Sequence, residues 1–222
     1  MEMIKKGAEA DLYLADFSSV LHAGKSGKVV LKLRVPKRYR IREIDSWLRK
    51  QRTSLEAKLM IDAKKAGVPT PTVLEVRPDD ASIVMSFCEG KQLKKVLDKL
   101  PAKKRRQICR KIGRYIARLH LSGIVHGDLT TSNIILERNG RLVLIDFGLG
   151  DYDSSVEARG VDLHLLRRAL ESVHFRIADE AYRLVVREYR RTFGKGAAEI
   201  IRRAEEISKR GRYVAREERA WR

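Results

Sequence analysis

The segment HGDLTTSNIIL, residues 126–136, decides the fold when it is taken together with LIDFG, residues 144–148. The first segment contains Asp128 and, five positions later, Asn133, which directly precedes an apolar run. The second segment ends an apolar stretch with Asp146, thirteen positions after Asn133. Two carboxylates and an amide in this order, next to apolar strands, indicate a site where oxygen ligands converge.

A tight turn is predicted to bring the two segments together. The Asn-Gly pair at 139–140 is a two-residue hairpin signal between the apolar stretches 134–137 and 141–146. Such a hairpin allows Asn133 and Asp146 to face the same ion.

The three side chains match the needs of phosphoryl transfer from a nucleotide. The Asp128 carboxylate would orient the proton of the acceptor, and Asn133 and Asp146 would hold Mg²⁺ against the phosphates. Each motif alone is weak, because Asp-Phe-Gly occurs by chance and an Asp/Asn pair in a loop commonly caps a turn. The ordered combination at this spacing favours a phosphoryl-transfer site.

The charge of the chain favours a polyanionic partner. The 222 residues include 48 Lys+Arg and 29 Asp+Glu, a formal net charge of +19, and 43% are apolar. This length and apolar content suffice for a core in one domain or two small lobes. A charge-rich surface of the thermophile kind explains the many charges but not their imbalance, whereas clustered Lys/Arg suit phosphate backbones.

The basic C-terminal tail, residues 209–222, is a candidate contact for nucleic acid. Its aromatic residues could stack on bases while its arginines meet phosphates. The alternative is a frayed basic helix that contacts nothing specific. The candidate residues are Arg210, Arg212, Tyr213, Arg216, Arg219 and Arg222.

Cysteine content and apolar runs indicate a cytoplasmic protein. Cys88 and Cys109 are too few for a disulfide framework and lack metal-ligand spacing. The apolar runs are too short to span a membrane, and no secretory signal is expected at the N-terminus. We therefore expect a reduced cytoplasmic setting, with no membrane partner.

The order of predicted elements divides the chain into a strand-rich front and a helical back. Apolar spacing over 41–66 predicts a helix, within which Thr53 or Ser54 would begin a second one. Residues 1–87 and 88–222 are the two predicted lobes, with a cleft near 86–91. Strands are predicted over 10–15, 28–35, 72–77 and 81–87, and later helices over 108–119, 160–174, 178–193 and 196–209.

The order of HGDLTTSN and LIDFG resembles the protein-kinase-like superfamily. The resemblance implies an α+β, kinase-like fold with a small β-rich N-lobe, a reduced helical C-lobe, and ATP and Mg²⁺ as cofactors. It also implies a strand lysine paired with a helix glutamate. Strand alternation puts Val30 and Lys32 on one face, so Lys32 is the candidate lysine, and Glu56 is the candidate glutamate.

The resemblance assigns further residues to the nucleotide. Gly7, with Glu9 beside it, stands where kinases have three glycines over the phosphates, so this element is degenerate. In the linker, Met85 would back the adenine pocket, while the Ser86 carbonyl and the Cys88 amide would bind the adenine edge. Two apolar residues would form the floor, with a plain core role as the alternative: Ile135 and Ile145.

Several departures from the kinase pattern indicate a narrow activity. Gly127 replaces the arginine that in most regulated kinases pairs with an activation-segment phosphate. Only sixteen positions separate Asp146 from Asp162, with no Ala-Pro-Glu motif between them. Asp162 would brace the catalytic loop, or would be a simple acid at a helix N-terminus. A very short activation segment leaves little room for docking a peptide, so the productive partner would come from outside.

Over essentially its whole length the chain resembles the small atypical kinase subunit of the KEOPS complex, the PRPK family. That resemblance implies a Ser/Thr protein kinase and ATPase that acts with a threonylcarbamoyl-transferase subunit, other KEOPS subunits and tRNA. It also suggests an archaeal source. The matching stretches are GAEADLYL, LKLRVPKRYRIREID, RTSLEAKLM, GVPTPTVLEV, HGDLTTSNIIL, LIDFGLG, VDLHLLRRALES and GRYVAREERAWR.

Two alternatives remain at the level of sequence. A RIO-like atypical kinase in ribosome maturation is disfavoured by the insert at 36–52. A basic RNA-binding module with a vestigial nucleotide pocket is disfavoured because all five polar residues expected at a nucleotide site are present: Lys32, Glu56, Asp128, Asn133 and Asp146. ATP turnover with and without tRNA and the transferase partner would separate these possibilities.

Overall fold

The structure, a computed structural model, describes residues 1–7, 9–21 and 27–217, with side chains described as far as Arg210. Its strands are Glu2–Lys5 (β1), Ala10–Asp16 (β2), Lys28–Arg34 (β3), Val73–Arg77 (β4), Ser82–Ser86 (β5), Gly90–Gln92 (β6), Ile124–Val125 (β7), Ile134–Glu137 (β8), Leu142–Leu144 (β9) and Asp151–Tyr152 (β10). Its α-helices are Phe17–Leu21 (α1), Arg42–Lys65 (α2), Leu93–Val96 (α3), Ala102–Leu121 (α4), Val156–Val173 (α5), Ala178–Phe193 (α6) and Ala197–Glu217 (α7).

The N-terminal part is an antiparallel sheet with β3 at its centre. The strand order is β1-β2-β3-β5-β4. Alternation along β3 puts Val29 in a small outer cluster with Ala15 and Val84, whereas Val30 packs against the main core. Lys32 shares the face of Val30, as the pattern predicted, and is buried there.

The helix α2 is one continuous helix of 24 residues, so the prediction of a second helix starting at Thr53 or Ser54 was wrong. The Thr53 hydroxyl donates to the Arg49 carbonyl at 2.7 Å, and the Ser54 hydroxyl donates to the Lys50 carbonyl at 3.1 Å. Both hydroxyls therefore bond back along the same helix, which is an alternative to capping a new one.

The C-terminal part is mainly helical. The helix α4 packs against α6, and α5 packs against α7, while a small sheet of order β6-β8-β9 lies beside them. One buried cluster joins both parts, since it contains Leu59 of α2, Ile116 of α4 and Phe147. The predicted division at 87/88 falls in the connection between β5 and β6 and stays a prediction.

The two cysteines are free thiols, Cys88 half-buried and Cys109 buried. Burial raises the pKa of each thiol to about 11, so neither is a reactive thiolate near neutral pH. In the part of the chain that the structure describes, every helix is too short or too polar to cross a bilayer. The cytoplasmic setting stays a prediction.

Candidate active site

A buried ion cluster joins the central strand, α2 and the Asp-Phe-Gly segment. The Lys32 ammonium lies 2.6 Å from Glu56 Oε1 and 2.7 Å from Asp146 Oδ1. Lys32 and Glu56 are 7% and 1% exposed, whereas the Asp146 side chain is 42% exposed. The cluster therefore has a closed side toward α2 and an open side at Asp146, where a ligand can enter.

Lys32 and Asp146 keep their charges in this buried setting. Burial by itself lowers the pKa of Lys32, but the carboxylates of Glu56 and Asp146 outweigh it and hold that pKa above its ordinary value. Burial likewise works against ionised Asp146, and the Lys32 ammonium reverses this, so the pKa of Asp146 lies below its ordinary value. Charged forms of both groups are therefore available to a polyanionic ligand and its counter-ion.

The backbone at Asp146 is strained in a way that aims its side chain at the cluster. Asp146 has φ of 65°, in the left-handed region that residues with a Cβ rarely adopt. The preceding amide, Ile145 N–H, donates to the Asn133 carbonyl at 2.9 Å, and Phe147 is buried directly after it. Strain of this kind persists where the surroundings fix it, commonly at functional sites.

Asn133, the candidate metal ligand, holds the carboxylate of Asp128, the candidate catalytic residue. The Asn133 amide Nδ2 donates to Asp128 Oδ2 at 2.7 Å and to the Asp128 carbonyl at 2.9 Å. Both described bonds of the Asn133 side chain use its nitrogen, which leaves its oxygen as an acceptor for a cation. Asp128 itself is half-buried and lines the same cavity as Lys32 and Asp146.

Asp162 at the N-terminal half of α5 fixes the loop that carries Asp128. Its carboxylate accepts the His126 N–H at 2.6 Å and the Gly127 N–H at 2.8 Å, and it is 1% exposed. It also faces His120 Nε2 at 3.3 Å. Burial lowers the pKa of both His120 and His126, so these rings are neutral near pH 7. The geometry is that of a brace and not of a helix-terminal acid alone.

The cavity above the cluster has two adjoining compartments, which share Lys5, Leu12, Lys32 and Asp146. We call them the polar and the apolar compartment. The polar compartment contains most of the charged candidates, and its lining includes Gly7, Glu9, Lys32, Arg34, Asp128, Asp146 and Gly148. The apolar compartment contains the linker candidates, and its lining includes Val30, Met85, Ser86, Cys88, Ile135 and Ile145.

The two isoleucines named as floor residues differ from their neighbours in burial. Ile135 and Ile145 are half-buried and line the apolar compartment, whereas the adjacent Ile134 and Leu144 belong to the buried core. Both side chains therefore belong to the cavity wall, and their role as the floor under a base stays a prediction. An apolar compartment beside a polar one is what a base joined to phosphates requires.

Gly7 and Glu9, between β1 and β2, are each held by a contact to a neighbouring element. The Gly7 N–H donates to Asp11 Oδ1 at 3.2 Å. Glu9 pairs with Arg52 of α2 at 3.0 Å, with both side chains partly exposed. Gly7 and Glu9 line the polar compartment, and their roles toward a nucleotide stay predictions.

Two residues near the site were missed by the sequence analysis. Arg34 binds Glu56 Oε2 at 2.7 Å, and Lys5 of β1 lines both compartments. The alternation that placed Lys32 on the cleft face also places Arg34 there, two residues further on, so that signal was available. No such signal was available for Lys5, because the strand β1 was not predicted.

The tail candidates mostly lie beyond the described side chains. Arg210 is exposed on α7. The side chains of Arg212, Tyr213 and Arg216, and all of Arg219 and Arg222, lie outside the described residues, so their proposed contacts with nucleic acid stay predictions.

The oxygen donors fit Mg²⁺ better than a transition metal. Asp146 and Asn133 offer a carboxylate and an amide oxygen, which are ligands of the kind that Mg²⁺ prefers. Among the described residues there is no group of three or more His, Cys, Asp or Glu that could hold a metal ion by itself. A Mg²⁺ ion here would therefore need further oxygens, such as those of phosphates and water.

Comparisons with known proteins agree with this geometry. Residues 16–161 match the protein kinase domain family. The chain is similar in fold to a Rio2 kinase–ADP/Mg²⁺–phosphoaspartate complex from Chaetomium thermophilum, with a TM-score of 0.63 and 18% identity over 93% of this chain and 70% of that one. At this identity the likeness shows the fold alone, and it confirms the predicted kinase-like architecture.

Sequence relatives give a finer assignment. The chain is 49% identical to "KEOPS complex subunit Bud32" of Pyrococcus abyssi over 100% of this chain and 99% of that protein. It is 43% identical to "Probable serine/threonine-protein kinase BUD32 homolog" of Archaeoglobus fulgidus, over 85% and 90%. A third relative, "Probable bifunctional tRNA threonylcarbamoyladenosine biosynthesis protein" of Methanobrevibacter smithii, is 44% identical, but this chain spans only 37% of its length. The chain therefore belongs to the Bud32 family, within the protein kinase superfamily.

Proposed function

We propose that this chain is an ATP- and Mg²⁺-dependent Ser/Thr protein kinase and ATPase that acts as a subunit of a KEOPS assembly. Its role there is to support formation of threonylcarbamoyladenosine in tRNA, together with a threonylcarbamoyl-transferase subunit. The observation that carries the chemical part is the convergence of Lys32, Asp128 and Asp146 on the polar compartment. Asn133, which bonds to Asp128, lines the adjoining apolar compartment. The names of the relatives support the biological part.

Each residue has one role in this proposal. The apolar compartment takes the adenine, with the Met85 side chain at its back and the linker backbone at its edge. Lys32, oriented by Glu56, supplies the cation for the phosphates. Asp146 and Asn133 would hold Mg²⁺, which when bound neutralises charge on the transferred phosphoryl group.

Asp128 is the group that meets the acceptor. Its carboxylate accepts a hydrogen bond from Asn133, which fixes the side chain while leaving one oxygen to orient the proton of a water or a hydroxyl. Asp162 holds the loop through two backbone N–H groups, so Asp128 need not move to reach its working position. Positioning of this kind supplies most of the catalysis in phosphoryl transfer.

ATP turnover in the presence of Mg²⁺ tests the chemical proposal, with the chain alone and with the transferase partner and tRNA. Asp146→Asn is expected to lower turnover by about 10²-fold or more, since it removes charge where the ion is held. Asp151→Asn is the matched control, because Asp151 is an exposed carboxylate five positions later. Labelled γ-phosphate separates released phosphate from autophosphorylated protein. If Asp146→Asn turned over ATP at the wild-type rate, the proposal would be contradicted.

The tRNA part of the proposal is supported by a basic groove on the helical part. This α4 groove lies between α4 and the β8–β9 hairpin and is lined by Lys104, Arg110, Lys111, Arg114 and Arg138, with Gln107, Ile108, Asn139 and Gly140. The only carboxylate that the structure describes as paired to one of these five cations is Glu188. It lies 3.0 Å from Arg114 and 2.7 Å from a second cation, Arg191. The groove therefore keeps a large positive charge, which suits a phosphate backbone.

Binding of tRNA at several salt concentrations tests the α4 groove. The double variant Arg110→Gln/Arg138→Gln is expected to weaken binding and to reduce the slope of log K against log salt by roughly 2, because two phosphate contacts are removed. Lys50→Gln, an exposed lysine on α2 paired with Asp79, is the control. Unchanged tRNA binding with weakened assembly of the protein complex would assign the groove to an acidic protein partner instead.

A further inference from the structure

Arg34 is a buried cation that the roles above leave unused. It ends β3, two residues after Lys32, and is 3% exposed. Its NH2 group lies 2.7 Å from Glu56 Oε2, while its Nε is buried without a hydrogen-bond partner among the described residues. A buried donor left unsatisfied is costly, so packing alone does not explain an arginine here.

The Glu56 carboxylate is shared between two cations. Oε1 binds Lys32 at 2.6 Å and Oε2 binds Arg34 at 2.7 Å, and all three side chains are at least nine-tenths buried. Together with Asp146 they form two cations and two anions in contact. Glu56 therefore keeps Arg34 as a partner even where Lys32 also contacts a nucleotide, and a buried carboxylate without a partner is avoided.

Arg34 also lies against the Asp-Phe-Gly segment. A Cβ placed on Gly148 would be 3.2 Å from Arg34 NH2 and 3.5 Å from Glu56 Oε2. The arginine therefore spans the contact between the central strand, α2 and the segment that carries Asp146. It lines the polar compartment beside Lys32 and Gly148.

We propose that Arg34 is a positioning residue that keeps Glu56, and with it α2, docked for Lys32 whether or not a nucleotide is bound. The proposal rests on the proposed function, because it concerns how Lys32 meets the phosphates. Gly127 cannot pair with an activation-segment phosphate, whereas the Arg34–Glu56 ion pair is present without any modification.

Binding of Mg²⁺–ATP to the full chain tests the proposal. Arg34→Gln is expected to raise the ATP dissociation constant by about tenfold or more, the size typical when a group that orients a ligand is removed. Arg34→Lys is expected to stay within about threefold of wild type, because an ammonium can still pair with Glu56. Arg49→Gln removes another arginine–carboxylate pair, with Asp45 on the same helix but outside the cavity, and should leave ATP binding unchanged.

A double-variant cycle with Glu56→Gln separates positioning from direct contact. If Arg34 acts through Glu56, Arg34→Gln should change ATP affinity by less than about twofold in the Glu56→Gln background. If the effects of Arg34→Gln and Glu56→Gln on ATP affinity were fully additive, Arg34 would contact the nucleotide directly and the proposal would be overturned. Unchanged affinity in folded Arg34→Gln would overturn it as well.

The remaining outcomes are also decisive. If Arg34→Gln does not fold, Arg34→Lys enters the same cycle, and a tenfold loss of affinity in that folded, still cationic protein contradicts the proposal. If the wild-type chain binds no Mg²⁺–ATP, the proposed function itself fails. Wild-type binding together with the behaviour of Arg34→Gln therefore distinguishes the two failures.

Discussion

The substitution Gly127→Ala is expected to damage the catalytic loop severely. Gly127 has φ of 75°, and a Cβ built on it would lie 2.0 Å from the Leu149 carbonyl oxygen and 2.6 Å from its carbon. These are backbone atoms, so no side-chain rotation relieves the overlap. The backbone must shift instead, and the shift strains the Gly127 N–H bond to Asp162, which is 2.8 Å long.

The magnitude follows from two contributions. A residue with a Cβ in the left-handed region costs roughly 1–2 kcal/mol. Loss of a buried backbone hydrogen bond costs a further 1–3 kcal/mol or so. We therefore expect Gly127→Ala to lower the free energy of unfolding by about 2–5 kcal/mol, which for a chain of this size lowers Tm by roughly 5–15 °C.

Gly140→Ala is the matched control. Gly140 has φ of 81° in the β8–β9 turn, but a Cβ there meets nothing within 4 Å. Only the conformational cost applies, so Tm should fall by roughly 2–6 °C, with ATP turnover unchanged. Gly127→Arg, which restores the residue of regulated kinases, should be no more stable than Gly127→Ala.

Thermal unfolding and ATP turnover of the three variants, measured side by side, check this reasoning. Turnover by Gly127→Ala should fall more than its folded fraction does, because Asp128 is the next residue. If Gly127→Ala lost no more stability than Gly140→Ala, the close approach to Leu149 would be refuted as the reason for glycine. An active Gly127→Arg protein would refute it as well.

Two further predictions concern the supports of the loop and of α2. Asp162→Asn should cost about 2–4 kcal/mol at pH 7, because an amide cannot accept both the His126 and Gly127 N–H groups as the carboxylate does. The pKa of Asp162 is lowered from 3.8 by its partners against the effect of burial, so its stabilisation is present above that value and is lost as pH falls through the lowered pKa. Unfolding of both proteins in denaturant should therefore show the difference narrowing below about pH 4, and a constant difference would contradict this. Tyr152→Phe, which removes a 2.6 Å hydrogen bond to Asp62 of α2 in a partly exposed pair, should cost only about 0.5–1.5 kcal/mol and speed hydrogen exchange near residue 152; unchanged exchange there would argue against this support.

The candidate site residues that lie close together along the chain were predictable from sequence. Asp128, Asn133 and Asp146 lie on two segments joined by a short hairpin, so their spacing along the chain largely fixes their spacing in space. The pairing of Lys32 with Glu56 was predicted only from the kinase resemblance, because the 23 residues between them carry no pattern that predicts contact between β3 and α2. Strand alternation gave only the face on which Lys32 lies.

Other features depend on tertiary contacts that a pattern does not encode. Thr53 and Ser54 have the composition of a helix start, yet α2 passes through them. Both hydroxyls bond back to carbonyls of the preceding turn, and the core residues of α2, from Ala57 to Ala63, follow them. The strand β1 was missed because its four residues are exposed and lack alternation, and it exists through pairing with β2. The link between Gly127 and the lack of a phosphate switch stays a prediction, whereas the blocking carbonyl of Leu149 is visible only in three dimensions.

These tertiary contacts share one consequence for the activity. In a regulated kinase, an arginine before the catalytic aspartate ties the activation segment to the loop after phosphorylation. Here the Leu149 carbonyl occupies the space that any side chain at Gly127 would need, while the Tyr152 hydroxyl ties the segment to α2. Arg34 of β3 pairs with Glu56 of α2, so the ion cluster is complete without a modification. We therefore expect control of the activity to act at the open side of the cavity, near Asp146 and Asp128, through the partner that presents the acceptor.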